Sequence, residues 1–221
     1  MGLRTRRLEF KHLRQNSDTV FTMDMILPKF NFVYSYIYDS TLARLSGKEH
    51  NDKTQAEAEE YIKIVSEEFS KYSESVLKNI SNISGLKWQK PLIEVYISKY
   101  APHSLSVPLT IKIYKDAKVS TAILVHELVH NIIFQNEKHI RYKELFEDFG
   151  NESVGTKYHI IEGAILYELN KTLFSDGFGG FFEYDNWKSE DAGEEYNRAI
   201  SIVIDKGPEN IIKKYIARNS K

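Results

Sequence analysis

From Thr54 to Ile83 the apolar residues Ala58, Tyr61, Ile62, Val65, Phe69, Tyr72, Val76, Leu77 and Ile80 recur at three- and four-residue spacing. That period predicts one long amphipathic helix, and Thr54 with Glu57 reads as its capping box. Before it, residues 7–14 and 19–38 are rich in β-branched and aromatic side chains interrupted by Pro28, which predicts strands or extended segments. After it, Leu92 to Tyr100 and Leu105 to Tyr114 read as two strands, with Pro108 implying an edge or a bulge in the second. A strongly apolar helix then runs from about Lys118 to Gln135. A charged helix follows over 138–149, ending at Gly150-Asn151, and an apolar one over 157–173. Segment 175–184 is a glycine-rich turn or lid. Two last helices are expected near 188–206 and 208–217, divided by Gly207-Pro208. Strands, a long helix, strands and then helices make an α+β protein: a small mixed sheet with a backing helix, and a helical C-terminal half.

The chain of 221 residues reads as one domain, with an extension over 1–50, a sheet and helix unit over 54–135 and a helical part over 136–221. A formal net charge of −1 gives no general attraction to nucleic acid or to anionic membranes, and neither is expected as a partner. Arg4, Arg6, Arg7, Lys11 and Arg14 make the N-terminus basic, which reads as a solvated tail. There is no signal-like apolar run and no 18-residue apolar stretch, so a cytoplasmic protein is expected. The chain has no cysteine, which removes disulfides and every thiolate-dependent zinc scheme.

Within the apolar helix stands His126-Glu127-Leu128-Val129-His130. Residues i and i+4 share a helix face, so His126 and His130 can present two imidazoles to one Zn2+, while Glu127 can serve as general base toward a zinc-bound water. A catalytic zinc takes a third protein ligand. The extended HExxHxxGxxH pattern would need glycine at 133 and histidine at 136, where this chain has Ile133 and Asn136. A carboxylate or histidine on a later helix remains. Glu162 is the leading choice, because a carboxylate in an apolar helix is costly unless paired or bound to metal. Gly163 beside it would allow the motif helix to approach closely. His159 is open to three readings: a ligand, an oxyanion-stabilising or supporting group, or an ordinary helix residue. Glu144, Glu147, Asp148 and Glu152 lie in a charged run that reads as a solvated face, and Tyr158 and Tyr167 read as packing.

HELVH followed by Glu162, Gly163 and Tyr167, with Ala164 one place early, resembles the gluzincin zinc peptidases, whose third ligand sits in an E-G-x-A-x-Y setting. The resemblance covers roughly residues 54–173, and in size the chain is similar to the minigluzincins. It implies a zincin-like fold with His126, His130 and Glu162 as metal ligands and Glu127 as catalytic base. It also implies a metallopeptidase acting on peptides or proteins, with Leu109 to Tyr114 as the edge strand that binds substrate. Many gluzincins carry an aspartate four residues after the glutamate ligand, where this chain has Leu166. A catalytically silent zinc-binding regulator is the alternative, and self-inhibition by segment 208–221 or self-association is a further expectation.

Overall fold

A computed structural model describes residues 26–175 and 193–217. The expected elements over 7–14, 19–25 and 176–192, including the glycine-rich segment, lie outside the described residues. The rest is α+β: four strands, β1 (Lys29–Tyr34), β2 (Leu92–Ser98), β3 (Leu105–Ser106) and β4 (Leu109–Lys112), and eight helices among the described residues. Strand order is β1-β2-β4-β3, with β1, β2 and β4 parallel and β3 antiparallel to β4. Along β2 the alternation is plain, since Ile93, Val95 and Ile97 are buried while Leu92 and Glu94 are exposed. One face therefore joins the core.

That face is covered by α2 (Lys53–Ser70) and α4 (Ala117–Gln135), and α3 (Ser73–Ser84) joins the same core. The expected single helix over 54–83 is thus two. Tyr72 donates to the Phe69 carbonyl, a one-turn tightening, and Val76 resumes the helix from the Tyr72 carbonyl. The capping box is also replaced. Asn51 caps α2 by accepting from the Lys53 amide and the Thr54 hydroxyl, and Thr54 is buried.

Residues 36–38, expected as extended, open helix α1 (Tyr36–Leu45), whose cap Ser35 accepts from the Tyr38 amide. Tyr38 reaches Thr110 of β4, and its ring meets Tyr96 of β2, so α1 lies over the sheet's other face. The second expected strand, 105–114, is folded back at Val107-Pro108 into β3 and β4.

Beyond α4 the charged segment forms a short 3₁₀ turn (Glu137–His139) and α5 (Tyr142–Asp148). Then come α6 (Val154–Ser175), α7 (Glu194–Lys206) and α8 (Pro208–Tyr215). Gly207 takes φ +80°, open to glycine, and Pro208 starts α8, as the sequence pattern requires. Buried side chains of the sheet, α2 to α4 and α6 to α8 form one apolar cluster. No helix among the described residues is long and apolar enough to cross a membrane.

The expectation that segment 208–221 occupies the cleft fails over its described part. Ile211, Ile212, Tyr215 and Ile216 are buried in the core, and Ala217 donates to the His139 carbonyl. Each buried side chain of this size contributes about 1.5–3 kcal/mol, so their sum rivals a domain's whole stability. Deleting residues 208–221 should therefore unfold the protein rather than activate it. Circular dichroism of the truncated chain checks this; a folded, more active product would contradict it.

Candidate metal centre

Helix α4 begins where Asp116, extended, accepts from the Lys118 amide. Its apolar side chains Leu124, Val125, Leu128, Val129 and Ile132 are fully buried, which fixes the helix's rotation. His126 and His130 are turned to a partly open face, their rings 5.0 Å apart between centroids. Helix α6 crosses this face and brings Glu162 to them. His126 Nδ1 lies 3.1 Å from Glu162 Oε1. The ligand atoms of His126, His130 and Glu162 all fall within 4.8 Å of one another, so the three could hold a metal ion.

The electrostatics of the three groups suit that use. Burial, then the neighbouring His130 and His159 rings, holds the His126 imidazole well below its ordinary pKa. Burial, followed by His159, brings His130 down to about 4. Both rings are thus neutral near pH 7, with lone pairs to offer. Glu162 is wholly buried, and neither of its oxygens has a hydrogen-bond partner among the described residues. Burial, with the nearby Glu127 carboxylate, pushes it well above its usual range. A buried carboxylate left without donors is costly, and a cation beside two neutral imidazoles removes that cost. The residues fit a divalent metal.

Glu127 is also buried, at 8% exposure. Burial raises its carboxyl to about 7.

His159 stands at the same cluster. Its ring is 5.4 Å from that of His130, and its Nδ1 lies 2.8 Å from the Gly155 carbonyl. That contact makes Nδ1 the donor, since a carbonyl only accepts. It is not among the three groups that could share a metal.

Tyr196 of α7, not anticipated from sequence, is buried against this cluster with its ring 5.6 Å from His126 and 5.5 Å from His159. Burial and the Glu162 charge raise its phenol well above the ordinary value. The one available signal was its place on the apolar stripe of α7 with Ala199, Ile200 and Val203.

Other candidates are placed elsewhere. Asp148 pairs with Lys214 at 2.7 Å and accepts from the Tyr215 hydroxyl, Glu152 binds Arg198 at 2.6 Å, and Glu144 and Glu147 are exposed. Tyr158 packs on Tyr142 and Phe146, and Tyr167 lies under Lys171. Gly163 does permit a close approach, but by α7 and not by the motif helix. A Cβ there would stand 2.8 Å from Ile200 Cδ1 and 3.6 Å from Val203 Cγ2. Gly163→Val should cost about 2 kcal/mol through overpacking between α6 and α7. Gly163→Ala needs only a small shift of the Ile200 methyl. Urea unfolding of the two variants checks the ordering, and equal stability would contradict it.

The expected substrate-binding edge, 109–114, is also corrected. Leu109 and Thr110 are paired on the outer side by β3, so the sheet's edge beside α4 is β3. Comparison with protein-family models, curated proteins and solved structures returned no match.

Proposed function

We propose that this protein is a zinc-dependent metallopeptidase with a zincin-like arrangement of helix and sheet, cutting peptide bonds in peptide or protein substrates. One observation carries the reading. Two neutral imidazoles and a donor-less, wholly buried carboxylate converge from two helices, with a second carboxyl, Glu127, one residue from the first imidazole. His126, His130 and Glu162 would hold the metal. Zinc, when bound, would acidify a coordinated water and polarise the scissile carbonyl.

The protein's own contribution is orientation and proton transfer. Packing of Leu128 and Val129 fixes both histidines on one face. Glu127, with its carboxyl brought to about 7, is matched to take a proton near neutral pH and return it to the leaving amine. A purely structural metal site has no use for such a base, which favours the enzyme over a silent zinc-binding regulator. Reconstitution tests the proposal. Zinc-loaded protein should cleave members of a mixed peptide library, and chelation should stop it. Stoichiometric zinc without cleavage of any peptide would overturn the peptidase reading.

The site also predicts a trade between function and stability. Glu162→Leu should abolish zinc binding, yet raise the metal-free protein's stability by about 1–3 kcal/mol, because it removes a buried carboxylate without donors. Urea unfolding in chelator together with zinc titration measures both. Loss of stability with zinc affinity retained would contradict the assignment.

A further inference from the structure

Strand β1 is one edge of the sheet, on the side away from β3. One bond sets its alternation. The Lys29 amide donates to the Pro91 carbonyl at 2.9 Å, so Lys29, Asn31 and Val33 turn their backbone groups toward β2. Phe30, Phe32 and Tyr34 then turn theirs outward, where no strand meets them among the described residues. The side chains of the same three residues share a face with their register partners Ile93, Val95 and Ile97, which are buried in the core. Beside them lies a groove of about 500 Å³, walled by Leu27, Pro28, Phe30, Phe32, Phe69 and Leu77. Phe30 stands edge-on to Phe69 of α2, 4.9 Å between ring centroids. Outward backbone groups next to an apolar groove fit an extended strand with large apolar side chains at alternate positions.

The chain carries such a segment directly upstream. In residues 19–25 the apolar Phe21, Met23 and Met25 alternate with Val20, Thr22 and Asp24. The segment joins the lip of the groove through Ile26 and Leu27, so only a tight turn separates it from β1. We infer that residues 19–25 fold back antiparallel onto β1 as a fifth strand and fill the groove. With Ile26 to Lys29 as a four-residue connection, Met25 pairs with Phe30, Met23 with Phe32 and Phe21 with Tyr34. These pairs use the outward backbone groups and put all three apolar side chains on the groove face. Asp24 falls on the other face, opposite exposed Asn31 and diagonal to exposed Lys29, whose charge it complements. A slip of one residue would turn Thr22 and Asp24 into the apolar groove instead. A tethered segment also meets the edge at an effective concentration on the order of millimolar, which a second copy does not reach. The strand's role is to close an edge that would otherwise pair with another molecule, and it is independent of the metal centre.

Hydrogen exchange on the full-length protein reads the edge directly. The Phe30, Phe32 and Tyr34 amides should exchange about 100-fold or more slower than free amides. In the Phe21→Asp/Met23→Asp double variant those three should become fast, while Asn31 and Val33, held by β2, stay slow. Engineered disulfides test the register, since the chain has no cysteine of its own. Asp24→Cys with Asn31→Cys places the two Cα atoms about 4.5 Å apart in a non-hydrogen-bonded pair, so oxidised glutathione should close the bond within one chain. Met23→Cys with Asn31→Cys puts the thiols on opposite faces and should close at least about tenfold more slowly.

Fast exchange at Phe30, Phe32 and Tyr34 in the wild type would overturn the inference, as would equal closure of the two cysteine pairs. A disulfide formed between chains, or protection that vanishes on dilution, would assign the edge to a second copy and refute the fifth strand. If the aspartate variant does not fold, wild-type exchange and the cysteine pairs decide.

Discussion

Glu127→Gln should lower kcat/KM for peptide cleavage by about 10³-fold, the scale of a lost general base, while the protein stays folded and loaded with zinc. Glutamine has nearly the shape of glutamate, so the buried site keeps its packing. It cannot accept the proton. Removing the charge also relieves the repulsion that Glu127 exerts on Glu162, so metal binding should not weaken. Steady-state kinetics with parallel zinc analysis reads both arms. A variant that cleaves as fast as wild type would show that Glu127 is not the base.

The largest effect expected away from the metal centre is at Asp39. This carboxylate is fully buried and accepts from the Ser98 hydroxyl at 2.5 Å, the Lys99 amide at 3.1 Å and the Tyr100 amide at 3.2 Å. It ties the first turn of α1 to the end of β2. His50 lies 3.8 Å from its other oxygen and meets the Tyr34 hydroxyl at 2.6 Å. Asp39→Ala leaves the Lys99 N–H and the Ser98 hydroxyl without their acceptor, while the Tyr100 N–H keeps Ser98 Oγ at 3.2 Å. Each such group costs about 1–3 kcal/mol, so a loss of about 3 kcal/mol or more is expected. Asp39→Asn, which keeps an acceptor of the same shape, should lose clearly less. Urea unfolding midpoints measure the pair; an alanine variant within 1 kcal/mol of wild type, about a fivefold change in the folding constant, would contradict the account.

How much of this was legible in the sequence follows from the range of each signal. Two histidines four apart on an apolar helix share a face by helix geometry alone, and packing of α4 leaves them turned to the site. Glu162 was legible because a carboxylate in a run such as Ile160-Ile161-Glu162-Gly163-Ala164 demands a partner. Its approach to His126 required the fold. Segment 35–38 carried the composition of a strand, but the Ser35 cap and the Asp39 anchor outweigh that local preference. The break at Lys71-Tyr72 had no glycine or proline to announce it, and the apolar spacing runs through it unaltered. Tyr196 was invisible for another reason. Its significance lies in contacts with His126 and His159, far away in sequence, and its side chain is ordinary in its local setting.

The central claim is that α4 and α6 together build a metal site from His126, His130 and Glu162. The most direct measurement is anomalous scattering at the zinc absorption edge from crystals grown with equimolar zinc. The account predicts one strong peak within bonding distance of a nitrogen of His126, a nitrogen of His130 and an oxygen of Glu162. No peak at this cluster, or a zinc held there by His159 while Glu162 stays unbound, would contradict it.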